Sequence, residues 1–164
     1  MKWGLLSSLL LLTGQICASE HALGAHEHGS VKMAIAVEKN VMDIDLDGPS
    51  DSFMGFEHTP KGSLETKIYN ETKELWEKKL LTVLTPAQDL GCKISESTFK
   101  QTIEGSHADV EAKAKMSCTK NLAGTELTVS LLKRFTKIKK MKVDVLSTLS
   151  TTVDVTKKVQ VIKL

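Results

Sequence analysis

Arginine is nearly absent: Arg134 is the only one in 164 residues. Planar, bidentate recognition of bases and phosphates favours that side chain. The 22 Lys and Arg also stand against 20 Asp and Glu, so the chain is close to neutral. Both facts argue against a nucleic acid as the main partner. Aromatics are scarce too, with four Phe, two Trp and one Tyr. A core must therefore be built from Val, Ile, Leu and Met. The local signatures of common hydrolases and redox proteins are missing. There is no G-x-S-x-G and no C-x-x-C, and His26-Glu27-His28 is too short for H-E-x-x-H. Gly24 and Gly29 have the spacing of a phosphate loop, but no Lys follows and the next segment reads as a strand.

The N-terminal stretch 1–19 has the pattern of an export signal. Lys2 supplies the positive charge, Trp3 to Leu12 a short leucine-rich run, and Ala18 and Ser19 the small residues for cleavage. The run is too short to span a bilayer, so no stable membrane insertion is expected. Cys17 follows Ile16, where a lipidation site wants a small residue, so a soluble exported protein is expected. Removing Cys17 leaves Cys92 and Cys118 in an oxidising compartment, where a disulfide is the expectation. The other reading of this pair, as metal thiolates, fits no zinc-ribbon spacing.

Residues 20–164 are enough for one domain with a real core, and no linker or repeat divides them. Val31 to Val37 alternates with period two, and so do Met42, Ile44 and Leu46 against Asp43, Asp45 and Asp47. Lys39-Asn40 between them predicts a hairpin. Leu64, Ile68, Leu75, Leu80, Leu81 and Leu84 fall near one face of a helix over 64–84, with Ser63 as its cap. From Cys92 strands return. The cleanest is His107 to Cys118, with Ala108, Val110, Ala112, Ala114, Met116 and Cys118 on one face. A short basic helix over 131–140 and valine-rich strands complete the chain. The expected fold is α+β: an antiparallel sheet or sandwich of about seven or eight strands against one long helix.

Extended backbone sends alternate side chains the same way, so His26 and His28 share a face. Two imidazoles are half of a zinc site, which needs three or four ligands. A hairpin returns the chain to the end where it began, so the segment after Asp47 should lie beside this pair. That segment contains Glu57 and His58. His107, with Asp109 and Glu111, opens the polar face of a later strand. It either adds ligands or is a solvated face.

These residues, in order, resemble the ZrgA zinc-uptake family. The resemblance rests on His26-Glu27-His28-Gly29 before a hairpin, Asp47-Gly48-Pro49-Ser50 after it, and Gly55-Phe56-Glu57-His58-Thr59-Pro60. It continues through Gly91-Cys92, His107-Ala108-Asp109-Val110-Glu111 with Cys118, and the Leu131 to Val145 stretch. It implies a periplasmic, non-enzymatic protein of a Gram-negative bacterium that binds Zn²⁺ at about one or two sites. Its implied role is zinc acquisition, handing metal to or from an uptake transporter or that transporter's binding protein. The implied ligands are His26, His28, His58 and His107, with Glu27, Glu57 and Asp109 as second choices or as partners that orient the imidazoles. One feature departs from the family: the His-rich insert is missing, and Thr98 to Ser106 contains no histidine. Metal is thus expected at structured positions, with binding that weakens as imidazoles protonate in acid. The competing readings are a cell-envelope interaction protein without a specific metal, and a metallohydrolase with Glu57 as base.

Overall fold

Alternation of apolar and polar residues writes most of this fold directly. The computed structural model describes residues 27–164; the expected signal 1–19 and His26 lie outside that range. β1 (Ser30–Glu38) and β2 (Val41–Pro49) form the expected hairpin, with Val31, Met33 and Ile35 of one and Met42, Ile44 and Leu46 of the other buried on the same face. The short helix α1 (Ser50–Met54) follows, then α2 (Gly62–Lys79), a 3₁₀ turn and β3 (Leu84–Pro86). Next come β4 (Lys93–Glu104), β5 (His107–Ser117), β6 (Glu126–Val129), α3 (Leu131–Arg134), β7 (Lys140–Leu146), β8 (Ser150–Val155) and β9 (Gln160–Lys163). The larger sheet runs β4-β5-β2-β1-β7-β8, and β3-β6-β9 make a smaller one. Strand pairs among the described residues are antiparallel, except that β1 runs parallel to β7. The α+β expectation holds, with nine strands among the described residues.

The core lies between the large sheet and α2. Trp76 anchors the helix: it is 5% exposed, and its indole N–H donates to the Lys113 carbonyl at 2.9 Å. Ala112 and Ala114 flank that carbonyl on the inner face of β5. Leu46, Phe99 and Val110 line the same space as Trp76. On the outer face the charges pair across strands, Lys113 with Asp45 at 2.8 Å and Lys115 with Asp43 at 3.5 Å. The hydrogen bond to Asp45, and then that carboxylate's charge, hold the Lys113 ammonium above its ordinary pKa.

Four local expectations need correction. Ser63 does not cap α2. Lys61 occupies that position, and the Glu65 carboxylate accepts its backbone N–H at 2.6 Å. Leu64 is not core but 70% exposed; Thr72 and Trp76 carry the buried face, with Ile68 and Leu75 partly covered. The helix ends at Lys79 rather than at 84, because Leu84 is drawn into pairing with Val129 of β6. The basic helix expected over 131–140 is one turn long. The Gly29 carbonyl accepts N–H groups from Lys139 and Lys140, pulling that segment into line with β1. The hairpin turn forms as expected, with Lys39 at positive φ. Asn40 donates its side-chain amide to the Cys118 carbonyl and accepts the Cys118 N–H on its own carbonyl.

Cys92 and Cys118 form the expected disulfide, joining the start of β4 to the end of β5 across a sequence separation of 26. Closing a loop of that length stabilises by about 3.5 kcal/mol in the chain-entropy treatment. The Cys92→Ser/Cys118→Ser variant is expected to lose about that much, read as a lower urea midpoint with an increased m-value from a more expanded unfolded chain.

Candidate metal centre

The hairpin delivers its ends to one place. Lys32 stands opposite Asp47, so the residues before β1 meet those after β2. β5 begins at the same end, since Asp109 pairs with Pro49 and His107 lies two residues earlier. The contacts there are specific. The Gly29 N–H donates to the buried Ser52 hydroxyl at 3.1 Å. Gln101 donates its side-chain amide to the buried Ser50 hydroxyl at 2.8 Å and to the His58 carbonyl at 3.2 Å. These bonds fix α1 and the turn after it against β1 and β4. Gly29 has φ +86°, and an added Cβ would stand 2.9 Å from the Lys137 carbonyl oxygen. The His28–Gly29 turn therefore requires glycine on two grounds, backbone conformation and close approach.

Glu57 is the centre of the arrangement. One carboxylate oxygen, Oε1, lies 3.4 Å from His28 Nδ1, and the other, Oε2, lies 3.2 Å from His107 Nδ1. His28 Nδ1 also lies 3.8 Å from Asp51 Oδ2. Glu57 is only 17% exposed, whereas the His28 and His107 side chains are 60% and 63% exposed. A half-buried carboxylate thus stands between two imidazoles that face solvent. Lys137 closes the group from the far side, with Nζ 2.6 Å from Asp51 Oδ1.

The remaining expected ligands are placed differently. His58 turns toward α2: Nδ1 lies 3.7 Å from Glu65 Oε2 and 3.0 Å from the Thr59 carbonyl, and its ring stacks on Phe56. Glu27 is exposed and contributes its backbone carbonyl to the Ser30 N–H. Asp109 is half-buried in β5 between Pro49 and Thr102. The geometry therefore joins His28, Glu57 and His107, and separates His58 into a pair with Glu65. Asp51 and Lys137 escape a reading of the sequence. Asp51 had a usable signal, its place four residues after Asp47 in the segment that the hairpin returns to His28. Lys137 had none, because the parallel β1–β7 pairing that brings it in joins residues 110 apart, as Ser30 and Lys140 are.

Two imidazoles and a carboxylate are the donor types zinc takes. As placed, the two contacts run to different oxygens of the carboxylate, and the one to His107 is a hydrogen bond. Among the described residues no group of three or more His, Cys, Asp and Glu is placed so that it could hold a metal ion. Enclosing an ion calls for imidazole rotation, which the exposure of both rings permits without loss of packing. The family model described as ZrgA family zinc uptake protein matches residues 25–164. No curated protein matches the chain.

Proposed function

Since the chain belongs to the ZrgA family of zinc uptake proteins, we propose that it is a non-catalytic periplasmic carrier that holds Zn²⁺ through His28, Glu57 and His107. It passes the ion to or from an uptake transporter or that transporter's binding protein. The observation that carries this reading is Glu57, whose two oxygens each face a different imidazole. His26, two residues before His28, is the natural source of a fourth ligand; water in that position leaves the site open for exchange. The exposed imidazoles suit handover, because an incoming ligand reaches the ion without unfolding anything. The leader pattern at 1–19 supports the periplasm as the compartment.

Calorimetric titration of zinc into the mature, disulfide-intact protein tests this, beside a His28→Ala/His107→Ala variant. The expected result is sub-micromolar, one-to-one binding that the double variant loses. Binding is also weaker at acidic than at neutral pH, because zinc takes only the neutral imidazole. Binding indifferent to both histidines contradicts the assignment, and no binding at all favours an envelope-interaction role.

A further inference from the structure

We infer that Lys137 sets the affinity of this site by keeping Asp51 out of the ligand set. The inference rests on the zinc reading above and concerns a residue outside the proposed ligands. Asp51 stands beside the proposed ligands, with Oδ2 3.8 Å from His28 Nδ1. Its other oxygen is bound to the Lys137 ammonium at 2.6 Å.

The position of that ammonium is built into the fold. The Lys137 carbonyl is packed on Gly29, where an added Cβ would come within 2.9 Å. Its ammonium lies over Gly55, where an added Cβ would touch Nζ at 3.6 Å. Gly29 lies next to His28 and Gly55 ends α1, so Lys137 spans the two turns that present His28 and Glu57. Of the neighbouring lysines, Lys140 pairs with Asp154, and the Lys139 stem lies against Gly29.

The consequence follows from charge. Asp51 cannot offer its full charge to a metal while one oxygen is bound to an ammonium. Holding that carboxylate back weakens binding and speeds release, which a carrier needs and a storage site does not. Lys137 is thus a positioning residue that acts through Asp51.

The test measures zinc affinity, and zinc release to an excess of chelator, for wild type, Lys137→Met, Lys137→Arg, Asp51→Asn and the Lys137→Met/Asp51→Asn pair. Methionine retains the apolar stem and removes the charge. Lys137→Met is expected to bind zinc about ten-fold more tightly and release it correspondingly more slowly, a change of about 1.4 kcal/mol. Lys137→Arg retains a cation and is expected to restore wild-type affinity and release. In the Asp51→Asn background the methionine substitution is expected to give little tightening. Wild-type binding with no tightening in Lys137→Met overturns this inference and leaves the zinc reading intact. Equal tightening in both backgrounds overturns the route through Asp51. If neither wild type nor Lys137→Met binds, the zinc reading fails and the inference falls with it.

Discussion

Glu57→Gln is expected to lower zinc affinity by about 100-fold, or about 2.8 kcal/mol, while leaving the fold unchanged. Glutamine has nearly the same shape and still offers an oxygen to one imidazole, so packing around the turn is retained. What it loses is the negative charge between His28 and His107, and zinc binds a neutral amide oxygen poorly beside a carboxylate. Because the wild-type carboxylate is only 17% exposed, water screens it less than a surface acid. Thermal unfolding with and without zinc separates the effects. Zinc at a hundred times its dissociation constant stabilises the wild type by about 2.7 kcal/mol. The variant is expected to show the same metal-free melting temperature and, at the same zinc concentration, only about 0.4 kcal/mol of that increment. A variant that melts lower without metal would make Glu57 a structural residue.

The largest effect on the fold is expected from Trp76→Ala, a loss of about 4 kcal/mol. The side chain is 5% exposed and is the largest buried residue of α2. Its removal leaves a cavity among Leu46, Phe99 and Val110. It also removes the hydrogen bond to the Lys113 carbonyl at 2.9 Å. Trp76→Phe keeps most of the packing and loses the N–H, so it is expected to cost about 1 to 2 kcal/mol. Urea unfolding of the two variants divides the cost between packing and hydrogen bond. An equal loss in both would show that the hydrogen bond, rather than the cavity, dominates.

The parts of the fold legible in the sequence are those that local periodicity writes. β1, β2 and β5 alternate because one face is buried, and their register follows from that constraint. The hairpin alone placed the segment containing Glu57 beside His28, and the structure shows that contact at 3.4 Å. Periodicity stops at the irregular turn 55–61, where nothing in the pattern says which way Glu57 and His58 point. Glu57 points to His28 and His107, and His58 points to Glu65. Helix α2 misleads for a related reason. Its leucines lie near one face of a helical wheel, yet Leu64, in its first turn, stays exposed. The parallel β1–β7 pairing, and Lys137 with it, depends on segments that no local signal connects.

Anomalous diffraction at the zinc edge, from zinc-soaked crystals of the mature protein, tests the central claim most directly. The expected peak lies within bonding distance of Glu57 and of the His28 and His107 imidazoles. A peak at the His58–Glu65 pair or beside Asp43 and Asp45, with none at Glu57, would contradict it.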